Sequence, residues 1–182
     1  MQPDTLKLFI SRLEDLGAKA YVCHSMQDLF QTIYNLVKNV EKEILIVGSE
    51  TDYRKELIER LEGEGVSIRI VRADSTTPIT DVELSIGFPE LGIASTGTVI
   101  YTASSGIEEA SIYFPETHIS IISADRIVYD LDDVERSFND FLRNGVSIYL
   151  VTGPSSTADI EGEIVKGVHG PRRFYVSVLD IH

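Results

Sequence analysis

Leu6, Phe9, Ile10, Leu13 and Leu16 recur at three- and four-residue steps, which puts one apolar stripe along a helix. Pro3 and Asp4 stand where a helix starts and Gly17 where one stops. Leu29, Ile33, Leu36, Val37 and Val40 repeat the pattern, with Ser25 and Asp28 at the spacing of a capping box. The period then changes. Ile44-Leu45-Ile46-Val47 is an unbroken apolar run ending at Gly48, as expected of a strand buried on both faces of a parallel sheet. A helix with Leu57, Ile58 and Leu61 on one side follows, then a β-branched strand over Val66–Val71. Strand, helix, strand in so short a span is a right-handed βαβ unit, and the fold class is α/β.

Further strands are predicted at Thr98–Tyr101, His118–Ser123, Val146–Val151 and Phe174–Leu179. Leu131, Val134, Phe138, Phe141 and Leu142 mark another amphipathic helix, ended by Asn144-Gly145. The stretches 73–97 and 153–171, rich in Gly, Pro, Ser and Thr, take no assignment and border strands. The division is a helical segment over 1–42 packed on an α/β domain over 43–182.

The chain has 182 residues, 43% apolar and 25% charged, enough to bury one core and too aliphatic for disorder. No apolar run reaches the roughly 20 residues of a spanning helix, and the charged N-terminus does not read as a secretory signal. Cys23 stands alone, so no intrachain disulfide forms and no iron–sulfur cluster is held by this chain; a cytoplasmic location is expected. Net charge is −13, and between Ala73 and Asp140 there are 13 acidic residues against Arg126 and Arg136. Such a surface repels phosphate backbones and anionic lipid, which argues against nucleic acid and membrane as partners. It is either a solvated face or a docking face for a basic partner.

Two loops carry the candidate chemistry. In Gly153-Pro154-Ser155-Ser156-Thr157-Ala158-Asp159-Ile160-Glu161, small residues let the backbone curl so that Ser and Thr groups converge on an anion. The same spacing suits a Ser/Thr helix cap. No lysine follows, so this is not a P-loop. Further on, His169 lies between glycines and before Pro171, on a constrained turn. With Asp159 and Glu161 it reads as a proton-transfer group oriented by a carboxylate, as a metal ligand, or as a structural imidazole. The other loop, Gly92-Ile93-Ala94-Ser95-Thr96-Gly97-Thr98, brings amides close to a ligand or makes a tight turn; His118 opens a strand, where a lone histidine is more often a hydrogen-bonded structural residue. Both loops are expected at the C-terminal edge of one sheet. Thr96, Gly97, Thr98, Gly153, Ser155, Ser156, Thr157 and His118 would then bind ligand, with His169, Asp159 and Glu161 catalytic. Gly48 is followed by Ser-Glu-Thr-Asp, which fails the dinucleotide fingerprint.

Taken together, GIASTGT (Gly92–Thr98), FPETHISII (Phe114–Ile122) and GPSSTADIEGEIVKGVHGPRRFYVSVLD (Gly153–Asp180) resemble the lactate utilization protein C family, the LUD domain. The family commonly has an acidic residue where Ser95 stands, and an Arg where this chain has Glu108-Glu109-Ala110-Ser111. The resemblance implies a three-layer α/β/α sandwich, similar to the ribose-5-phosphate isomerase and CoA-transferase fold also used by formyltetrahydrofolate cyclo-ligase. It also implies a part in L-lactate oxidation to pyruvate, and with one cysteine and no flavin or nicotinamide fingerprint the chain is expected to be a non-redox component of it. The iron–sulfur clusters would then sit on partners, an iron–sulfur protein and a cysteine-rich protein, with no cofactor in this chain. The alternatives are a stand-alone enzyme taking a phosphorylated, CoA-like or folate-like anionic ligand, and an acidic interaction module without catalysis.

Overall fold

A computed structural model describes residues 3–79, 82–134, 138, 141, 145–158, 164–166 and 170–181. Its centre is a six-stranded, all-parallel sheet of β1 (Lys19–Cys23), β12 (Arg173–Leu179), β7 (Thr117–Ser123), β4 (Leu84–Phe88), β2 (Ile44–Gly48) and β3 (Ile68–Ile70), side by side in that order. Strand periodicity sorts the side chains. Ile44, Ile46, Leu84, Ile86, Ile119 and Ile121 face α2 (Met26–Val37) and α3 (Asp52–Gly63). Val47, Ile122, Phe174, Val176 and Val178 face the opposite layer. That layer contains α1 (Pro3–Asp15), α4 (Gly106–Tyr113) and a second sheet. The second sheet is ordered β8 (Ile127–Val128), β5 (Leu91–Ile93), β6 (Thr98–Ala103), β9 (Ser147–Val151). The architecture is the expected three-layer α/β/α sandwich, with a small sheet built into one outer layer.

The caps follow the sequence. Ser25 Oγ accepts from the Asp28 amide, so the expected cap starts α2, while the Asp28 carboxylate reaches one residue past the N-cap to accept from the His24 amide. Thr51 and Ser105 cap α3 and α4 in the same way. The run Lys19–Cys23, read from sequence as part of a helical segment, is instead a strand paired in parallel with β12. The predicted Val66–Val71 strand is confined to Ile68–Ile70. The unassigned stretch 73–97 holds β4 and β5. In place of the start of a helix, Leu131–Val134 forms a 3-10 turn, with Phe138 and Phe141 helical beyond it. No helix among the described residues is long and apolar enough to cross a membrane.

Candidate functional site

The two loops singled out in the sequence do meet. Thr98 Oγ1 lies 2.8 Å from Thr152 Oγ1 and 2.7 Å from Thr96 Oγ1, a chain of three hydroxyls joining the start of β6 to the end of β9. Their edge is the C-terminal one for β5 and β9 in the small sheet, which run antiparallel to β6. In the parallel sheet it is the opposite edge, because the end of α1 packs on one loop and Leu16, just past it and leading into β1, packs on the other. Gly97 (φ +65°) leaves room for the α1 backbone: a Cβ there would lie 2.9 Å from Arg12 Cβ and 3.0 Å from Leu13 N. Gly153 (φ +78°) receives Leu16, with 3.0 Å to its Cβ. Close approach is thus what these glycines provide, and what approaches is a helix of the same chain. Thr98→Val is expected to lower stability by about 1 kcal/mol by cutting the hydroxyl chain, read as a shift in thermal midpoint.

Past Gly153 the chain makes a hairpin arm, β10 (Ser156–Ala158) against β11 (Ile164–Lys166), with Thr157 opposite Val165. Ser155 N donates to Pro171 O at 2.9 Å and Gly170 packs on Ser155, closing the arm's base. Asp159, Glu161 and His169 lie outside the described residues.

His118 sits inside the protein, 0% exposed, on the β7 face toward the small sheet. Its Nδ1 is 2.7 Å from Ser85 Oγ and its Nε2 is 2.9 Å from the Tyr101 hydroxyl, which is 2.7 Å from Ser120 Oγ. Its ring stacks on Phe174 at 5.9 Å. Burial lowers the imidazole pKa to about 3, so it is neutral, one nitrogen donating and the other accepting. Burial also raises the Tyr101 phenol far above its usual range. Gly87 makes space for the cluster, since a Cβ there would lie 2.4 Å from the Tyr101 hydroxyl. Every polar atom of this network faces another, as a buried network requires. As it stands, the network presents no surface to a ligand.

A feature that no motif in the sequence announces lies at the other edge of the parallel sheet. The connection after β2 runs through α3 to β3 on one side, and the one after β4 leads to β7 on the other. The C-terminal ends of β2 and β4 are therefore the topological switch point, where open α/β sheets bind ligands. A cavity of about 290 Å³ opens there, lined by Ser49, Glu50, Thr51, Tyr53, Pro89, Glu90 and Arg126. Gly48 (φ +95°) makes the turn into it, and Arg54, 5% exposed, donates from Nη1 to the Gly48 carbonyl while lying over the Phe88 ring. Burial draws the Arg54 pKa down, an effect that the Glu50 carboxylate opposes. Burial raises the Tyr53 phenol, which its hydrogen bond with Thr51 counters. The Arg126 guanidinium and the carboxylates of Glu50 and Glu90 give the cavity charge of both signs. The signal in the sequence is Gly48 at a strand end followed by the Thr51 cap. Tested against the dinucleotide fingerprint alone, that signal points to no site.

Among the described residues no three His, Cys, Asp or Glu side chains gather to hold a metal. Cys23 is buried, its Sγ 3.7 Å from Thr32 Oγ1, and burial raises its pKa, so it is a thiol.

Fold and cavity together define an α/β sandwich with a small polar hollow at its sheet edge. The LUD domain family model matches residues 6–179, and the chain belongs to that family. It is 35% identical to lactate utilization protein C of Bacillus subtilis over 102 residues, covering 53% of this chain and 42% of that protein. Lactate utilization protein C of Deinococcus radiodurans is 28% identical, over 97% of this chain and 80% of that protein. The chain spans less than half the length of the Bacillus relative it matches. A crystal structure of a DUF162 family protein from Deinococcus radiodurans superposes with a TM-score of 0.69 at 19% identity, over 98% of both chains, a likeness of fold.

Proposed function

We propose that this chain is a non-redox component of an L-lactate utilization system, working in the cytoplasm with iron–sulfur and cysteine-rich partners. The observation that carries the reading is the match along 97% of the chain to a relative named lactate utilization protein C. A physical argument supports the non-redox part. Oxidising lactate to pyruvate moves two electrons, and the one cysteine here is a buried thiol with no second thiolate beside it. The chain's own contribution is binding and proton transfer. His169, with Asp159 or Glu161 to orient it, is the group to accept a proton. The test is His169→Ala and Asp159→Asn in the complex reconstituted with its partners. Both variants are expected to keep the wild-type melting temperature and to lose lactate oxidation. Unfolding of either, or full activity in both, contradicts these roles.

A second reading, a stand-alone enzyme for a small anionic ligand, is favoured by the 290 Å³ cavity at the switch point. Turnover by the purified chain with no partner added supports that reading, and activity only after iron–sulfur partners are added supports the first.

A further inference from the structure

The groups that line the cavity at the ends of β2 and β4 do not satisfy one another. Arg126 ends the 3-10 turn between β7 and β8, is exposed, and among the described residues is in no ion pair. Glu50 and Glu90 line the same hollow, yet neither carboxylate closes on that guanidinium. Glu90 is fixed in place. Its amide donates to Ile100 O at 2.8 Å, and its carboxylate accepts from Thr102 Oγ1 at 3.2 Å. Ser49, also in the lining, has a buried hydroxyl with no partner among the described residues. Opposite charges that share a small cavity without pairing, beside an unused hydroxyl, leave bonds of both kinds to be made inside it.

We infer that this cavity binds a small carboxylic acid with a hydroxyl or amino group on the carbon next to its carboxylate, a step that rests on reading the cavity as a ligand site and needs no turnover. The Arg126 guanidinium presents paired donors that match a carboxylate. The Glu50 and Glu90 carboxylates only accept, so the other end of the ligand must donate, which a hydroxyl or an ammonium does and a methyl does not. The same carboxylates select against a dianion. Asp52 opens α3 and Asp125 stands next to Arg126, while the buried Arg54 donates to the Gly48 carbonyl instead. A phosphate would meet more negative charge there than one exposed guanidinium offsets. Size agrees. The volume of about 290 Å³ lies just below the roughly 300–1,000 Å³ of pockets for drug-sized molecules, and suits a ligand of a few heavy atoms.

The experiment is equilibrium binding to the full chain, by calorimetry, of L-lactate, L-alanine, propionate and inorganic phosphate. The acids share one carbon skeleton and differ at the carbon beside the carboxylate, which carries a hydroxyl, an ammonium or only hydrogen. L-Lactate or L-alanine is expected to bind at least about tenfold more tightly than propionate and phosphate, and which of them does so tells hydroxyl from amine. Arg126→Gln, at an exposed position, should weaken that binding at least about tenfold, and Glu50→Gln and Glu90→Gln should shrink the margin over propionate. Lys7→Gln on α1 should change nothing. No binding of L-lactate or L-alanine, propionate or phosphate bound as tightly, full binding by Arg126→Gln, or loss of binding in Lys7→Gln would each overturn the inference. Turnover is not read, so the enzyme reading can fail with binding intact, and binding of these acids can fail with turnover of another ligand intact.

Discussion

Replacing Gly48 by alanine is expected to remove a large share of the protein's stability, about 3 kcal/mol or more out of the roughly 5–15 kcal/mol typical of a domain. Two terms act together. The residue has φ +95°, a region that L side chains rarely adopt. A Cβ there would also lie 2.3 Å from the Phe88 carbonyl oxygen and 2.9 Å from the Phe88 nitrogen. Both obstacles are backbone, so no side chain can swing aside. The pairing of β2 with β4 continues through this point, with Gly48 opposite Phe88 and Ser49 N donating to Phe88 O at 2.8 Å. To fit, the methyl group would have to push these central strands away from each other. Gly63→Ala is the control, because nothing lies within 4 Å of the new methyl and its helix should gain slightly. Thermal denaturation of the two variants decides it, and a Gly48→Ala protein melting within a few degrees of wild type would contradict the geometry.

The second large effect belongs to His118. At pH 7, His118→Gln is expected to cost about 2–4 kcal/mol, because Ser85 and Tyr101 lose a shaped partner inside the core and the Tyr101–Ser120 bond loses its anchor. The pH dependence is the sharper signature. Burial lowers the folded pKa to about 3, while the unfolded chain titrates near 6.5. Between those values the unfolded state binds the extra proton, so stability rises with pH in that window. The contribution from keeping the ring neutral is complete above about pH 6.5 and is lost as pH falls, at a limiting rate of about 1.4 kcal/mol per unit. Urea denaturation of wild type and His118→Gln at pH 7 and below should therefore show the gap between them closing as acid is added. Parallel stability curves would mean that the imidazole is not sealed from water.

The regions of the fold visible in the sequence are those whose local pattern and final environment agree. Ile44–Val47 is apolar because both of its faces are covered, and α2 shows its stripe and its cap because one face alone is buried. β4 is not visible. Leu84-Ser85-Ile86-Gly87-Phe88 alternates correctly, but Ser85 exists to meet His118, and Gly87 to admit Tyr101 and His118, partners 14 to 33 positions away. β1 is hidden because it is short, begins with lysine and lies directly between two helices. The glycine-rich loops meet, as their composition leads one to expect. The reason for their glycines is not legible, since α1 and a ligand demand the same small residues. His118 reads either as a ligand contact or as a hydrogen-bonded structural histidine, because an isolated histidine at a strand start gives no sign of burial, and the network that seals it comes from β4, β6 and β12. The cavity at the ends of β2 and β4 follows from strand order, which no local pattern states.

The central claim, participation in lactate utilization, is tested most directly by removing the gene from its source organism and measuring L-lactate-dependent electron transfer in the extract. The activity is expected to disappear, to return when the purified chain is added back, and to stay absent when the added chain carries His169→Ala. Full lactate oxidation in the extract that lacks the chain would contradict it.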